Sequence, residues 1–143
     1  MKGGNRRRPD ADDEGSVLIL TIGYAALALV AVLICVDATS LYLAQKRLDS
    51  LADAAALAAA DGFELTVVDD EPVAVLTSPG VRAQAEIMVA EVGGGAVLVS
   101  AAAPDGVSAR VTVADSWHPP VLTLFVPDGV ALEATATSRT ALR

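Results

Sequence analysis

The chain has 143 residues, the length of one domain, with 53% hydrophobic and 3% aromatic residues and a mean hydropathy of +0.51. This apolar content excludes a long disordered chain, and the net charge of −8 repels nucleic-acid phosphate, so we expect no nucleic-acid partner. Single copies of cysteine (Cys35) and histidine (His118) exclude an intrachain disulfide framework, a CxxC zinc or redox site and a multi-histidine metal centre.

The first predicted element is a membrane-spanning helix. Residues 15–36 carry no charged side chain, and as an α-helix they would reach roughly 33 Å, enough to cross a hydrocarbon core of about 30 Å. The leader, residues 1–15, holds four basic side chains, against Lys46 and Arg47 after the segment. This bias favours a cytoplasmic N-terminus. We therefore assign 1–15 as a charged cytoplasmic leader and 16–36 as a transmembrane helix.

A cleaved secretory signal is the competing interpretation, because a basic start and an apolar stretch are both present. The apolar core of a signal is shorter, about 7–15 residues, and Val36–Ala38 is a weak match to a cleavage site. The helical pattern also continues past the apolar segment. We therefore favour a membrane anchor.

A stalk helix is predicted over residues 37–62, continuous with the first segment. No Pro or Gly occurs from residue 24 to 61, and Gly62 supplies the stop. Apolar side chains recur at alternating spacings of three and four, as in a heptad seam. Three heptads are short for a free coiled coil, so either the rest of the chain or neighbouring subunits must cover the seam. The predicted helix-packing seam consists of Leu41, Ala44, Leu48, Leu51, Ala55 and Ala58.

These two segments resemble a known family. A charged leader ending in Glu14–Val17, an apolar helix, and Leu41–Ala44 followed by the alanine-rich stretch 52–60 is similar to the TadE/TadG-like proteins of the Flp (tight adherence) pilus-assembly system. The resemblance covers about residues 12–62. It implies a bacterial, membrane-tethered, pilin-like subunit that acts in secretion or pilus assembly.

The resemblance also implies a candidate processing site at Gly15 and Ser16, because pilin-type precursors are typically cut after a glycine that precedes the apolar segment. Leu20 stands where the fifth mature residue is often a glutamate. The alternative is that Gly15 begins a permanent membrane helix. Larger TadG-type proteins carry a further domain with a metal-dependent adhesion site, which the 81 residues after Gly62 cannot hold.

Residues 63–143 are predicted to form a small extracytoplasmic α+β domain. The stalk would cover one face of a small antiparallel sheet, and with one short extra helix the architecture is pilin-like. That helix follows Pro79-Gly80, ends at Gly93–Gly95, and places Val81, Ala85, Met88, Val89 and Val92 on one face. The predicted strands are Phe63–Asp69, Val73–Thr77, Ala96–Ala103, Val107–Ala114, Val121–Val126 and Val130–Ala141.

Turn formers separate these strands, at Asp70–Pro72, Pro104–Gly106 and Pro127–Gly129, and Asp115–Pro120 is predicted as a loop. We expect the last two strands to pair as a hairpin. In the fourth strand, alternation predicts a buried face of Val107, Ala109, Val111 and Val113.

Trp117 and His118 form a candidate partner loop, since tryptophan is enriched at binding hot spots. The competing interpretation is a tryptophan that caps a small core together with Phe63 and Phe125. Asp69–Glu71 lacks the further ligands of a calcium loop, which favours a solvated turn.

Asp37 and Tyr42, at the outer end of the apolar run, either contact neighbouring helices or mark the end of the span.

The sequence has no second histidine and no GxSxG elbow, so it gives no support for nucleophilic catalysis. We therefore expect no enzyme, no cofactor, no metal and no small-molecule substrate. The leading hypothesis is a minor pilin or pilus-assembly component, single-pass in the bacterial cytoplasmic membrane, whose partners are membrane lipid and other pilin-like subunits. The alternative is a stand-alone, membrane-tethered binding or scaffold protein of the cell envelope.

Overall fold

The computed structural model describes residues 10–139. Residues 1–9 of the predicted leader and residues 140–141 of the last predicted strand lie outside the described residues. The predicted α+β fold, with its long N-terminal helix, short second helix and small antiparallel sheets, is confirmed. The elements are helix α1 (Asp10–Ala60), strands β1 (Glu64–Val68) and β2 (Glu71–Val75), helix α2 (Ser78–Val92), and strands β3 (Val97–Ala102), β4 (Ser108–Trp117) and β5 (Val130–Arg139).

Helix α1 runs without a break for 51 residues, so the predicted membrane segment and almost all of the stalk lie in one helix. It ends near Gly62, whose backbone N–H donates to the carbonyl of Ala59 at 3.3 Å. A Cβ at residue 62 would lie 2.7 Å from Cγ of Gln84 on α2, so any larger residue there would require the Gln84 side chain to move. The predicted stop is therefore also the point where the two helices approach each other closely.

The acidic hairpin turn lies earlier than predicted. Strands β1 and β2 pair antiparallel with Val68 opposite Glu71, which leaves Asp69 and Asp70 as a two-residue turn. Both have positive φ, 53° and 66°, as a type I′ hairpin requires. The prediction of a turn at Asp70–Pro72 is wrong, because Pro72 lies within β2, where a two-stranded sheet leaves open edges that tolerate a missing N–H.

Helix α2 begins where Pro79-Gly80 predicted it. The hydroxyl of Thr77 caps it by accepting from the backbone N–H of Gly80 at 3.3 Å, and Pro79 occupies the first turn. Val81, Ala85 and Val89 are buried as expected, and Met88 packs against the core. The prediction for Val92 is wrong, since this last residue of the helix is exposed.

Strands β3, β4 and β5 form an antiparallel sheet with β4 in the centre. β4 continues to Trp117, so the loop predicted from Asp115 starts only after that residue. β5 pairs along all ten residues of β4, from Trp117 opposite Val130 to Ser108 opposite Arg139. The predicted hairpin between the last two segments is therefore wrong.

The segment predicted as a strand over 121–126 is instead a turn. The backbone N–H groups of Phe125 and Val126 both donate to the carbonyl of Leu122, at 2.9 and 3.1 Å. Prolines at 119, 120 and 127 flank it, and proline cannot donate to a strand ladder. Residues 118–129 thus form one connection between β4 and β5.

One core lies between α1, α2 and the inner face of the three-stranded sheet. The predicted face of β4 is confirmed for Ala109, Val111 and Val113, which are fully buried, whereas Val107 precedes the strand and is exposed. The α1 residues in the core form a stripe wider than a heptad seam, as suits a helix lying on a sheet. They are Leu48, Leu51, Ala52, Ala55, Ala56, Ala59 and Ala60.

Candidate interaction surface

The N-terminal half of α1, from Gly15 to about Val36, is mostly left uncovered by the other described residues. Residues 15–32 are exposed throughout, and none of the most apolar part of the helix is buried. This helix is long and apolar enough to cross a membrane. Its exposed large side chains include Leu20 and Leu27. These side chains make this part of α1 an exposed apolar surface.

The C-terminal half of α1 carries the predicted seam, and this chain itself buries much of it. Leu48, Leu51 and Ala55 lie in the core, while Leu41, Ala44 and Ala58 are half-buried. Four further alanines of α1, at positions 52, 56, 59 and 60, lie in the core outside the predicted seam. Their spacing of four and three beside Leu48 and Ala55 is the signal that could have revealed a broader face.

Three polar contacts join the middle of α1 to the adjoining end of the sheet. Asp37 Oδ1 accepts from the backbone N–H of Val121 at 3.2 Å, and Ser40 Oγ accepts from Trp117 Nε1 at 3.1 Å. The third is a bond of 3.2 Å from Gln45 Nε2 to the carbonyl of Glu133 on β5. These contacts hold the sheet end against α1 where the uncovered half begins.

Asp37 is the most unusual of these residues because a carboxylate is rarely buried without full pairing. It is 6% exposed, and its Oδ2 has no hydrogen-bond partner among the described residues. From its place at the end of the predicted span, Asp37 is expected either to contact a neighbouring helix or to mark the boundary of the span. In the structure it lies beneath the β4–β5 connection of its own chain.

The two residues of the predicted partner loop occupy different positions. Trp117 is the last residue of β4, half-buried against α1, and His118 is exposed beside it. Neither Phe63 nor Phe125 joins Trp117 in an aromatic core, since Phe63 packs at the edge of the main core and Phe125 is exposed. Trp117 therefore fastens the sheet to α1 through its indole N–H.

Gly129, the last residue of the predicted Pro127–Gly129 turn, also lies in this region. Its φ is +71°, and a Cβ there would lie 2.7 Å from the carbonyl oxygen of Trp117 and 3.0 Å from Nε2 of His118. Glycine is therefore needed for the chain to return from the connection into β5. The Pro127–Gly129 turn was the available signal.

The Gln45 contact is supported by a neighbouring charge. The amide of Gln45 also donates to Asp49 Oδ1 at 3.0 Å, and Lys46 Nζ lies 3.2 Å from Asp49 Oδ2. The hydrogen bond from Gln45, followed by that from Lys46, lowers the pKa of the Asp49 carboxyl below its ordinary value of 3.8. The ionised carboxylate orients the Gln45 amide so that it also reaches the carbonyl on β5.

The candidate processing site is accessible along the uncovered half. Gly15 and Ser16 are exposed within α1, and an added Cβ at Gly15 would meet nothing within 4 Å. Leu20, at the position discussed for a glutamate, is also exposed. Cleavage after Gly15 remains a prediction.

Metal ligation has little support in this region. Among residues 10–139 there is no group of three or more His, Cys, Asp or Glu side chains that could hold a metal ion. Cys35 is a free thiol exposed on the apolar half of α1.

Comparison with known proteins bears on α1. Searches against curated proteins and against solved structures gave no match. Residues 15–62 match the family described as putative Flp pilus-assembly TadE/G-like. The match begins at the uncovered half of α1, includes the covered half, and ends at the glycine that stops the helix. The resemblance seen in the sequence is therefore confirmed for these residues, and this part of the chain matches the TadE/G-like Flp pilus-assembly family.

Proposed function

We propose that the protein is a non-enzymatic, membrane-anchored minor pilin or pilus-assembly component of a Flp-type system. The observation that carries this proposal is the division of α1 within the matched segment. Its C-terminal half is packed into the chain's own domain, whereas its N-terminal half presents an apolar surface that no other part of the described chain covers. Such a surface is suited to lipid and to other apolar helices.

In this proposal α1 anchors the protein and holds its domain at a set place above the membrane. The four basic residues of the leader, against two beyond the span, favour a cytoplasmic N-terminus and an extracytoplasmic domain. The three hydrogen bonds at Asp37, Ser40 and Gln45 tie the domain to the helix. A movement of α1 within an assembly would then be passed to the domain.

Contacts between subunits are proposed mainly for residues 15–36 of α1. Leu48, Leu51 and Ala55 already fill the core of their own chain and are not free to pack against a second stalk. Of the predicted seam, Leu41 and Ala44 remain partly accessible and extend the uncovered surface by one to two turns.

Site-specific photo-crosslinking in bacterial membranes tests this proposal. A photoreactive residue is placed at Leu27 on the uncovered half, with a matched control at Leu57, a similarly exposed leucine on the outer side of the covered half. We expect Leu27 to form adducts with a second copy or with another pilus-assembly protein, and Leu57 to form fewer. Adducts with lipid alone at Leu27 would contradict subunit packing and favour a stand-alone envelope scaffold.

Intact mass and N-terminal sequencing of the membrane protein test the anchor itself. A chain that begins at Ser16 would show pilin-type processing, and a chain that keeps Arg6–Arg8 would show a permanent anchor. A chain that begins near Thr39 would contradict the proposal, because the whole apolar half of α1 would have been removed as a secretory signal.

A further inference from the structure

The connection between β4 and β5, residues 118–129, has no role in the proposed helix packing. From Pro119 to Pro127 it contains no charged residue. Leu124 is 92% exposed and Phe125 is 80% exposed, which places two large apolar side chains at its outer part. An uncharged loop that exposes leucine and phenylalanine side by side is typical of a contact surface.

The exposure of these side chains is built into the loop. The carbonyl of Leu122 accepts from the backbone N–H groups of both Phe125 and Val126, and Thr123 Oγ1 donates to the carbonyl of Pro119. The backbone is thus turned on itself rather than laid along the sheet. We use the name apolar loop for residues 118–129.

The apolar loop lies at the end of the domain nearest the uncovered half of α1. At the start of β4, the backbone N–H of Ser108 donates to Asp105. At the other end of the strand, the indole N–H of its last residue, Trp117, donates to Ser40 on α1. Four residues further on, Val121 bonds to Asp37, at the end of the uncharged run. The chain then returns to Val130, opposite Trp117.

A groove places the loop beside the apolar run itself. Its lining includes His118 and Pro120 from the loop and Ala31, Val32 and Cys35 from α1. Ala31 and Val32 lie more than one helical turn inside the uncharged segment from Asp37. The apolar loop therefore lies beside the apolar surface of α1, at the same position along the helix axis as residues 31–35.

We propose that the apolar loop is a second membrane contact, with Leu124 and Phe125 inserted into the outer interface of the bilayer beside α1. The proposal rests on the membrane anchor in the proposed function. The occupant is lipid because the loop adjoins the end of the helix segment that lipid would surround, and because it has no charge between its prolines. A helix and a loop together attach the domain at two points and fix its tilt against the membrane.

The test uses the full chain in vesicles of phosphatidylcholine and phosphatidylglycerol. In a Cys35→Ser background, Leu124→Cys is labelled with a nitrobenzoxadiazole fluorophore, and quenching by spin-labelled lipid is measured. The matched control is Leu65→Cys, a 70% exposed leucine on β1, which follows the far end of α1. Leu27→Cys, within the uncharged run, reports the anchor. Circular dichroism confirms that each labelled variant is folded.

We expect strong lipid quenching at positions 27 and 124 and several-fold weaker quenching at 65. Quenching at 27 with none at 124 would overturn the loop contact and leave the anchor intact. If position 124 were protected from aqueous iodide but not quenched by lipid, a protein partner would cover the loop and the lipid proposal would be wrong. No quenching at 27 would overturn the anchor and this inference together.

Discussion

The two halves of α1 are both apolar, yet they differ in what covers them. The N-terminal half carries large side chains such as Leu20, Ile22 and Leu27, all exposed, whereas the C-terminal half is rich in alanines that are buried. Small side chains let the sheet approach the helix closely, and large exposed ones form a broad apolar surface of the kind that the proposed membrane anchor requires. Hydrophobicity alone therefore does not tell which half belongs to the protein core.

The difference in side-chain size also explains how a small domain holds a long helix. The largest fully buried side chains are the valines at 81, 111 and 113, and the helix opposes them mainly with alanine. Such a core depends on close approach rather than on large buried areas, so it tolerates little change in volume.

The largest expected effect is that the same substitution, Leu→Asp, has different consequences in the two halves. Leu48→Asp places a carboxylate in the core and should destabilise the domain by at least the roughly 2–5 kcal/mol of a buried Leu→Ala change. Leu27→Asp should leave unfolding in detergent unchanged but weaken membrane insertion by about 3 kcal/mol. Thermal unfolding and membrane fractionation measure the two effects, and a lower melting temperature for Leu27→Asp would break the comparison.

The same comparison can be sharpened with one substitution at two alanines. Ala55→Leu should cost about 1–3 kcal/mol, because Ala55 is fully buried against the sheet and a larger side chain forces the elements apart. Ala28→Leu, on the uncovered half, should leave the free energy of unfolding unchanged. Urea unfolding of the full chain in detergent measures both. Equal losses would mean that the N-terminal half also packs against protein.

A smaller effect is expected where the halves meet. Trp117→Phe removes the indole N–H that bonds to Ser40 Oγ, which should cost about 0.5–1.5 kcal/mol. Ser40→Ala removes the same bond from the other side, so the double variant should lose less than the sum of the single losses. Unfolding followed by circular dichroism gives the four values. Strict additivity would contradict the contact.

The smallest effect concerns the domain's far end. Asp105 accepts from the backbone N–H groups of Val107 and Ser108, at 3.1 and 2.6 Å, and from the Ser108 hydroxyl at 2.9 Å. The bonds from Val107 N–H and then from the Ser108 hydroxyl lower the pKa of Asp105 below 3.8. Its folded pKa is lower than its unfolded one, so the stabilisation is present above pH 3.8 and is lost as pH falls through the folded pKa.

We therefore expect Asp105→Asn to melt slightly below the parent protein at neutral pH and to approach it as the pH drops. Ser108→Ala serves as the control. It removes one hydrogen-bond partner of Asp105, so it should reduce the pH-dependent part of the stability. A difference between Asp105→Asn and the parent that grows at acid pH would contradict the assignment.

Much of the fold could be predicted because its signals are local. The uncharged run 15–36, the absence of proline and glycine up to Gly62, and the Pro79-Gly80 start of α2 each act on neighbouring residues. The family match likewise lies almost entirely within α1. Most of the wrong predictions concern strands, because whether a segment forms a strand depends on which distant segment pairs with it. Residues 121–126 have the composition of a strand, but β5 pairs with the whole of β4 and residues 121–126 form a turn instead.

The sequence by itself determined the long helix, its apolar half and the presence of a small antiparallel sheet, because periodicity and turn residues act over short distances. Tertiary structure alone decided which face of the stalk is buried, because the burial of Leu48 and Ala55 depends on a sheet whose strands lie far along the chain. It also decided that Asp37 and the apolar loop meet at the end of the apolar run. Contacts between residues more than 80 positions apart, such as Asp37 and Val121, leave no periodic signal in either segment.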